Sequence, residues 1–338
     1  MNKKRIVFVG SHLSDKRGTK GISEKISILL RDKYEVVLVS RYENLALRSM
    51  DIIWTLLSSR FDIVHIDVFS NKAFYYADIA SRIAKAKKER LIMTLRGGML
   101  HEEYERYPSR MKKVFERADI LQSPSLFLID FFKRKGFNVN YMPNFIEIDR
   151  FNYNRDNVHP NTILWVRAFA EIYQPELAVR TIGKLVTKYP DIKLTMIGPD
   201  HGLLPGIEKL IIELELDDHV EVVGRIPNEE LYRYYQTHAV YLNTTRYESF
   251  GMAVIEAAAC GIPVVSTNVG EIPYIWNDNE NILLSRADDE DMAQKVDILL
   301  SDPYLAASIS KNARKKAETF SWEHIKAKWM RLLDGKES

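Results

Sequence analysis

Apolar and polar positions along the chain alternate between two kinds of segment. Short apolar runs, "RIVFVG", "YEVVLVS", "FDIVHID", "RLIMTLR", "ADILQSP" and "VNYMPN", are separated in several places by stretches of helical periodicity, such as "GISEKISILLRDK" and "KAFYYADIASRIAKAKK". The pattern restarts with "TILWVRA", "IKLTMIGP", "HVEVVGR", "AVYLNTT", "IPVVSTN" and "NILLS". Apolar runs without a polar alternate belong to strands covered on both faces, and strand–helix alternation predicts parallel sheets. The predicted fold class is therefore α/β, with two Rossmann-like domains facing a central cleft. The polar, Asn-rich joint "MPNFIEIDRFNYNRDNVHPN" is the linker, and it places the first domain at 1–150.

Composition changes this picture little. The 338 residues carry 46% hydrophobic and 28% charged side chains, an ordinary globular balance. No apolar run approaches the ~18 residues of a membrane span, and "MNKKRIVFVG" leads into a strand rather than a secretory signal. The single cysteine, Cys260, excludes an internal disulfide framework and suits a reducing compartment, so the expected location is cytoplasmic. Its expected role is that of a small hydrophobe in a packed helix.

Charge changes it more. The net charge of +2 conceals 28 Lys+Arg against 18 Asp+Glu in residues 1–150, leaving 20 against 28 in the remainder. The basic half favours an anionic partner: nucleic acid, an acidic membrane surface or a phosphate-bearing substrate.

Ligands of open α/β sheets sit beyond the carboxyl ends of the strands. Four unusual segments occupy such places: "GSHLSDKRGTKG", "RGGMLHEEY", "RAFAEIYQPE" and "RYESFG". The last opens "ESFGMAVIEAAACGIPVVSTNVGEIP", where Glu248 stands at the entrance and Glu256 sits inside an apolar run. Phe250 and Gly251 fall near a helix N-terminus, whose free N–H groups and dipole attract anions, and Gly251 lacks the Cβ that would hold a phosphate away. Glu256, about a turn and a half inside, can accept from two vicinal hydroxyls, and Glu248 can reach a sugar on the far side of the phosphates. The spacing fits a ribose, a diphosphate and a sugar in one extended ligand. Spacing alone equally allows Glu248 to be a solvated loop acid and Glu256 a buried acid satisfied by backbone or arginine.

The stretch "RYESFGMAVIEAAACGIPVVSTNVGEIPYI" resembles the carboxylate signature of retaining glycosyltransferases of family four, which have the GT-B fold. Glu248 and Glu256 match its two acids, Ser249, Phe250 and Gly251 the donor-contacting backbone, and Gly270 and Glu271 its turn. "MPNFIEIDRF", "WVRAFAEIYQPELAVRTI", "MIGPD" and "VVGRIPNEELYRYY" are similar to further family segments. "NARKKAETFSWEHIKAKWMRLL" resembles a tail whose last helix returns to the N-terminal domain. The resemblance implies an acceptor-side domain (1–150), a nucleotide-sugar donor domain (151–320) and a returning helix (321–338). It implies catalytic or phosphate-facing roles for Arg167, Glu248 and Arg96, and donor binding by Glu256, Ser249, Phe250 and Gly251. Two positions depart from the family: Tyr173 stands where a lysine is usual, and Arg96 where a histidine is usual. Arg96 can grip a phosphate or sugar but cannot act as a base; His101 is nearby, and a packed or partly exposed histidine is its alternative reading.

The expected activity is retaining transfer of a sugar from a nucleoside-diphosphate donor to a saccharide or lipid-linked acceptor, in surface polysaccharide or glycoconjugate synthesis. No cofactor, metal or nucleic acid is expected. "RGTKG" offers Gly18, Lys20 and Gly21 as a phosphate- or acceptor-facing loop, with an ordinary strand–helix turn as the alternative. The acids of "DDED" (Asp288, Asp289, Glu290, Asp291) have the spacing of a metal motif but stand at a helix start, where capping is usual. "SRMKKVF", with Lys112 and Lys113 beside Met111, Val114 and Phe115, is a candidate for peripheral contact with an anionic membrane. A nucleotide-sugar epimerase and a noncatalytic nucleotide-sugar-binding protein are the rival readings. A nicotinamide-dependent oxidoreductase would need Gly-x-Gly-x-x-Gly after the first strand, which "VGSHLSDKRG" lacks.

Overall fold

The computed structural model describes residues 3–13 and 20–336. The chain divides into two compact units, one holding the described residues of Met1–Asn144 and Ala327–Ser338, the other Phe145–Lys326.

In the first unit the strands are β1 (Arg5–Val9), β2 (Glu35–Val39), β3 (Ile63–Val68), β4 (Arg90–Leu95), β5 (Ile120–Ser123) and β6 (Val139–Tyr141). Helices α1 (Ile22–Leu30), α2 (Leu45–Ser58), α3 (Phe74–Ala86), α4 (Leu100–Arg106), α5 (Pro108–Phe115) and α6 (Leu126–Arg134) connect them. The six strands form one sheet in the order β2-β1-β3-β4-β5-β6, and the pairs are parallel. All six residues of β3 are buried, as the run "IVHIDV" requires of a central strand.

In the second unit the strands are β7 (Thr162–Val166), β8 (Lys193–Ile197), β9 (Val220–Gly224), β10 (Val240–Asn243), β11 (Val264–Thr267) and β12 (Leu283–Ser285). The helices are α7 (Pro175–Leu185), α8 (Leu204–Glu213), α9 (Leu231–Thr237), α10 (Met252–Cys260), α11 (Ile272–Ile275), α12 (Asp289–Ser301) and α13 (Pro303–Glu318). This parallel sheet runs β12-β11-β10-β7-β8-β9. Each of the twelve apolar runs read from the sequence contains one strand. The last helix, α14 (Trp322–Asp334), enters the first unit from Ala327 onward. There Trp329 packs on His65 with ring centroids 5.5 Å apart, and Asp334 accepts from the Tyr34 hydroxyl and Lys33 Nζ, each at 2.7 Å.

Both sheets reverse their winding once. In the first, β1 leads outward to β2, and the chain then crosses back to β3 on the other side of β1; in the second, β7 leads to β8 and β9 before β10 returns beside β7. Such switch points open a crevice at the carboxyl ends of the adjacent strands. The segments after β1, β3, β7 and β10 are therefore where side chains can surround a ligand.

Three sequence readings are settled locally. Asp288 caps α12, its Oδ1 accepting from the Asp291 N–H at 2.9 Å, while Asp291 Oδ2 accepts from the Arg286 N–H at 2.7 Å. The "DDED" acids thus serve the helix start. Cys260 is fully buried, and desolvation, reinforced by Glu256, pushes its thiol up to about 12. The third reading needs correction: Met111, Val114 and Phe115 of α5 are buried in the core, so "SRMKKVF" presents no apolar face outward. Helical spacing cannot distinguish an inward stripe from an outward one.

Candidate functional site

At the β7–β10 switch point the two strands end in residues that meet. Arg167, one residue beyond β7, donates through Nη2 to Glu248 Oε2 at 2.6 Å and through Nε and Nη2 to Asn243 Oδ1 at 3.2 and 3.1 Å. Its guanidinium lies over the Tyr173 ring, 5.3 Å from the centroid. Tyr173 thus supplies an aromatic face to the arginine. Burial favours the uncharged arginine, but Glu248, with Tyr241, Tyr173 and Tyr235 behind it, outweighs burial and holds Arg167 more firmly charged than usual.

Glu248 is held from several sides. Its Oε1 accepts from the Ser249 N–H at 3.1 Å and lies 3.5 Å from the Phe250 nitrogen. Its carbonyl accepts from the Glu271 N–H at 2.9 Å. The neighbouring Gly270 has φ 55°, and a Cβ there would lie 2.2 Å from the Glu248 carbonyl oxygen, so only glycine lets the two backbones approach this closely. Gly251, at φ 83°, starts α10 without a side-chain cap, and a Cβ on it would meet Ile272 at 3.2 Å and the Glu248 side chain at 3.4 Å. Its missing Cβ therefore makes room for Glu248 and Ile272. The Ser249 and Phe250 amides turn toward the adjacent carboxylate, and the buried Phe250 ring packs edge-on against Phe320 at 5.5 Å. The uncapped first turn of α10 retains the anion-attracting N–H groups general to helix starts.

Glu256 is half-buried on α10. It lies close enough to Tyr235, Tyr241 and Cys260 to favour their protonated forms, adding to the larger effect of burial on each. The buried Tyr235 hydroxyl has no hydrogen-bond partner, a cost that the fold carries.

Sequence reasoning missed the polar layer beneath. Asn243 Nδ2 donates to Ser266 Oγ at 2.8 Å, Thr244 Oγ1 accepts from Trp165 Nε1 at 2.8 Å, and Thr267 Oγ1 donates to the Thr245 carbonyl at 2.7 Å. All of these residues are buried. The available signal was a fully apolar strand ending in three polar residues, "VYLNTT".

A second constellation occupies the β1–β3 switch point of the first unit. A cavity of about 600 Å³ is lined there by Gly10, Gly21, Arg48, Asp67, Arg96 and Asn144 among others. Arg96 donates through Nε to Asp67 Oδ1 at 2.5 Å and through Nη1 to Asn144 Oδ1. Ser23 donates to the other Asp67 oxygen. Burial raises the Asp67 carboxyl, but Arg96, His65 and Ser23 more than offset this and hold it below the usual carboxylate range. Arg48 Nη2 donates to the Gly10 carbonyl at 3.0 Å, with its guanidinium 4.8 Å from the Tyr76 centroid. His12 donates through Nδ1 to the Val39 carbonyl at 2.6 Å, and its buried Nε2 is without a partner. Burial lowers the His12 pKa, an effect that the Val39 carbonyl and Asp67 partly offset. Asp67, His12 and Asn144 were not singled out from sequence. Gly21 lines the cavity and its N–H donates to Glu24 Oε2 at 2.7 Å; Lys20 is exposed, and Gly18 lies outside the described residues. His101 belongs to packing: its ring meets Phe127 and Phe131 edge-on at 5.1 and 5.9 Å. The candidate residues thus form two sets, Arg167 with Glu248–Glu256 in one unit and Arg96 with Gly21 in the other. Among the described residues no group of three or more His, Cys, Asp or Glu side chains is placed to hold a metal ion.

Comparison with known proteins agrees on the second unit. The family model described as "Glycosyl transferases group 1" matches residues 147–316. A phosphatidylinositol N-acetylglucosaminyltransferase subunit from Arabidopsis thaliana is 28% identical over 151 residues, 44% of this chain and 33% of that protein. A D-inositol 3-phosphate glycosyltransferase of Saccharomonospora viridis is 30% identical over 170 residues, 46% of this chain and 39% of that protein. The aligned segments thus span only a third to two fifths of these curated relatives. Among solved structures, sucrose-phosphate synthase from Thermosynechococcus elongatus superposes with a TM-score of 0.77 at 17% identity, covering 99% of this chain and 100% of that one. Anabaena HepE in complex with UDP gives 0.78 at 13% identity, covering 98% and 100%. The fold class is GT-B, as the family resemblance implies.

Proposed function

The chain belongs to the group 1 glycosyl transferases, and on that premise we propose that it moves a sugar from a nucleoside-diphosphate donor to a saccharide or lipid-linked acceptor, retaining the anomeric configuration. The observation that carries the donor part is the meeting of Arg167 and Glu248 at a strand switch point beside the uncapped start of α10. HepE has been solved with UDP and with UDP-glucose, which supports a nucleotide-sugar donor for this chain too.

In this reading the diphosphate lies at the start of α10, Arg167 balances the charge that grows on it as the glycosidic bond breaks, and Glu256 accepts from the ribose hydroxyls. Glu248 holds Arg167 in place and accepts from the transferred sugar. Tyr173 brings no charge, so Arg167 and the helix start carry the anionic load. Retention without an enzyme nucleophile follows front-face attack: the acceptor oxygen bonds to the anomeric carbon on the side the diphosphate leaves, and its proton passes to the departing phosphate oxygen. In the first unit, the cavity lined by Asp67, Arg96 and Asn144 suits a hydroxyl-rich acceptor. The polysaccharide or glycoconjugate setting and the cytoplasmic location complete the proposal.

Calorimetric titration with nucleoside diphosphates and their sugars, followed by a mass-spectrometric acceptor screen, tests it. A new glycoside of unchanged anomeric configuration is the expected product. Conversion of the donor alone, with no acceptor consumed, would replace the transferase by an epimerase. Donor binding with no turnover across a broad acceptor panel would replace it by a sensor.

A further inference from the structure

The helix α2 buries one side and leaves the other bare. Ile52 and Leu56 are fully buried, whereas Leu47, Met50, Trp54 and Leu57 are 50, 64, 76 and 62% exposed. These four recur at steps of three, four and three residues, so they form a single ridge about 15 Å long at ~1.5 Å per residue. The helix does not need that ridge covered in order to form, because Asn44 Oδ1 caps it, accepting from the Ala46 and Leu47 N–H groups at 2.9 and 3.2 Å. Bare apolar side chains of this size on one helix face mark an interaction surface.

We propose that this ridge is the element by which the protein docks on an anionic lipid bilayer. Charge decides the occupant. From Leu45 to Arg60 the lone acid is Asp51, whose side chain is 11% exposed and turned back to accept from the Ser40 N–H at 2.7 Å. Exposed arginines flank the ridge, Arg41 before it, 62% exposed and 3.9 Å from Asp51, and Arg60 after it, and the exposed Glu43 precedes the cap. Residues 1–150 carry 28 Lys+Arg against 18 Asp+Glu. An apolar ridge with Trp at its crest and cations at both ends fits the interfacial zone of an acidic membrane, where rings and alkyl chains enter the acyl boundary and arginines meet phosphates. The membrane contact thus belongs to α2 rather than α5, whose apolar residues are buried.

Docking gives the lipid-linked form of the proposed acceptor a physical route, yet its test is independent of turnover. Of the five tryptophans, Trp165, Trp276, Trp322 and Trp329 are at most 8% exposed, so a change of emission on binding reports Trp54. The full chain is titrated with phosphatidylcholine vesicles with and without phosphatidylglycerol, at low and high salt, with sedimentation in parallel. The expected result is a blue shift and co-sedimentation with the anionic vesicles, weakened by salt. The Trp54→Ser/Leu57→Ser variant should lose roughly tenfold or more in partitioning, and Lys112→Glu/Lys113→Glu should lose less than this. An unshifted emission with protein left in the supernatant at low salt would overturn the proposal. So would a variant that partitions like the wild type, or a concentration-dependent dimer that the variant dissolves, which would assign the ridge to a second copy. A nucleotide-diphosphate thermal shift on the same samples separates failure of docking from failure of the transferase reading.

Discussion

The switch-point constellations of the two units share a topology and differ in what they are built from. In the second unit Glu248 is clasped by backbone on three sides, and its partner Arg167 by Asn243 and Tyr173, so the pair is fixed before any ligand arrives. In the first unit the charges of Arg96 and Asp67 satisfy each other along the wall of a cavity of about 600 Å³. The first arrangement suits a ligand part that never changes, a diphosphate, whereas the second leaves room for one that differs between enzymes. A preorganised ion pair costs no reorganisation during reaction; a lined cavity recognises by shape and hydroxyl pattern.

The sharpest break of this comparison removes the backbone clasp. Gly270→Val sets a side chain against the Glu248 carbonyl at a positive φ, where a β-branched residue is also strained. The expected outcome is a destabilisation of about 3 kcal/mol or more, seen as a lowered calorimetric transition with loss of nucleotide binding. An unchanged transition would mean that the clasp is dispensable.

The first unit is broken by pH. Burial, offset in part by Asp67, lowers the His65 pKa from 6.5 to about 4, with Nε2 2.8 Å from Thr94 Oγ1. An unfolded chain binds this proton below pH ~6.5 and the folded one below about 4, so stability is complete above 6.5 and falls as pH drops between the two values. The full loss amounts to about 3 kcal/mol. Chemical denaturation at pH 7 and pH 4.5 should show the decline, and a folded His65→Gln variant should show less of it. An equal slope in both would assign the decline elsewhere.

The two constellations were not equally legible in the sequence. Most of the twelve strands could be read because they fall in short, largely apolar runs, although Glu221 interrupts β9 and Asn140 β6; Glu248 and Arg167 could be read because their loops resemble a known motif. Asn243, Thr244 and Thr267 are not legible as a layer, since a hydrogen-bonded polar layer has the same composition as an exposed one. Asp67 and Arg96 stand 29 positions apart, and adjacent strands bring them together, a pairing that spacing along the chain cannot reveal. The ridge on α2 and the buried stripe on α5 show the same limit: periodicity gives a face but not its direction.

A gentler contrast separates the two constellations by function. Glu256→Gln should weaken nucleotide binding roughly tenfold to a hundredfold, as expected for a hydrogen bond to a charged group. A folded Asp67→Asn variant should leave nucleotide binding unchanged while impairing transfer to acceptor. Unchanged affinity in the first variant would remove the ribose role, and a nucleotide defect in the second would blur the division between the units.

In the proposed reading the Arg167–Glu248 constellation receives the diphosphate of a nucleotide donor. Isothermal titration of a nucleoside and its diphosphate into wild type and Arg167→Ala tests it most directly. The wild type should prefer the diphosphate, and the folded variant should lose that preference while its affinity for the bare nucleoside is largely kept. A variant that still discriminates, or one that loses nucleoside and diphosphate equally, would contradict it.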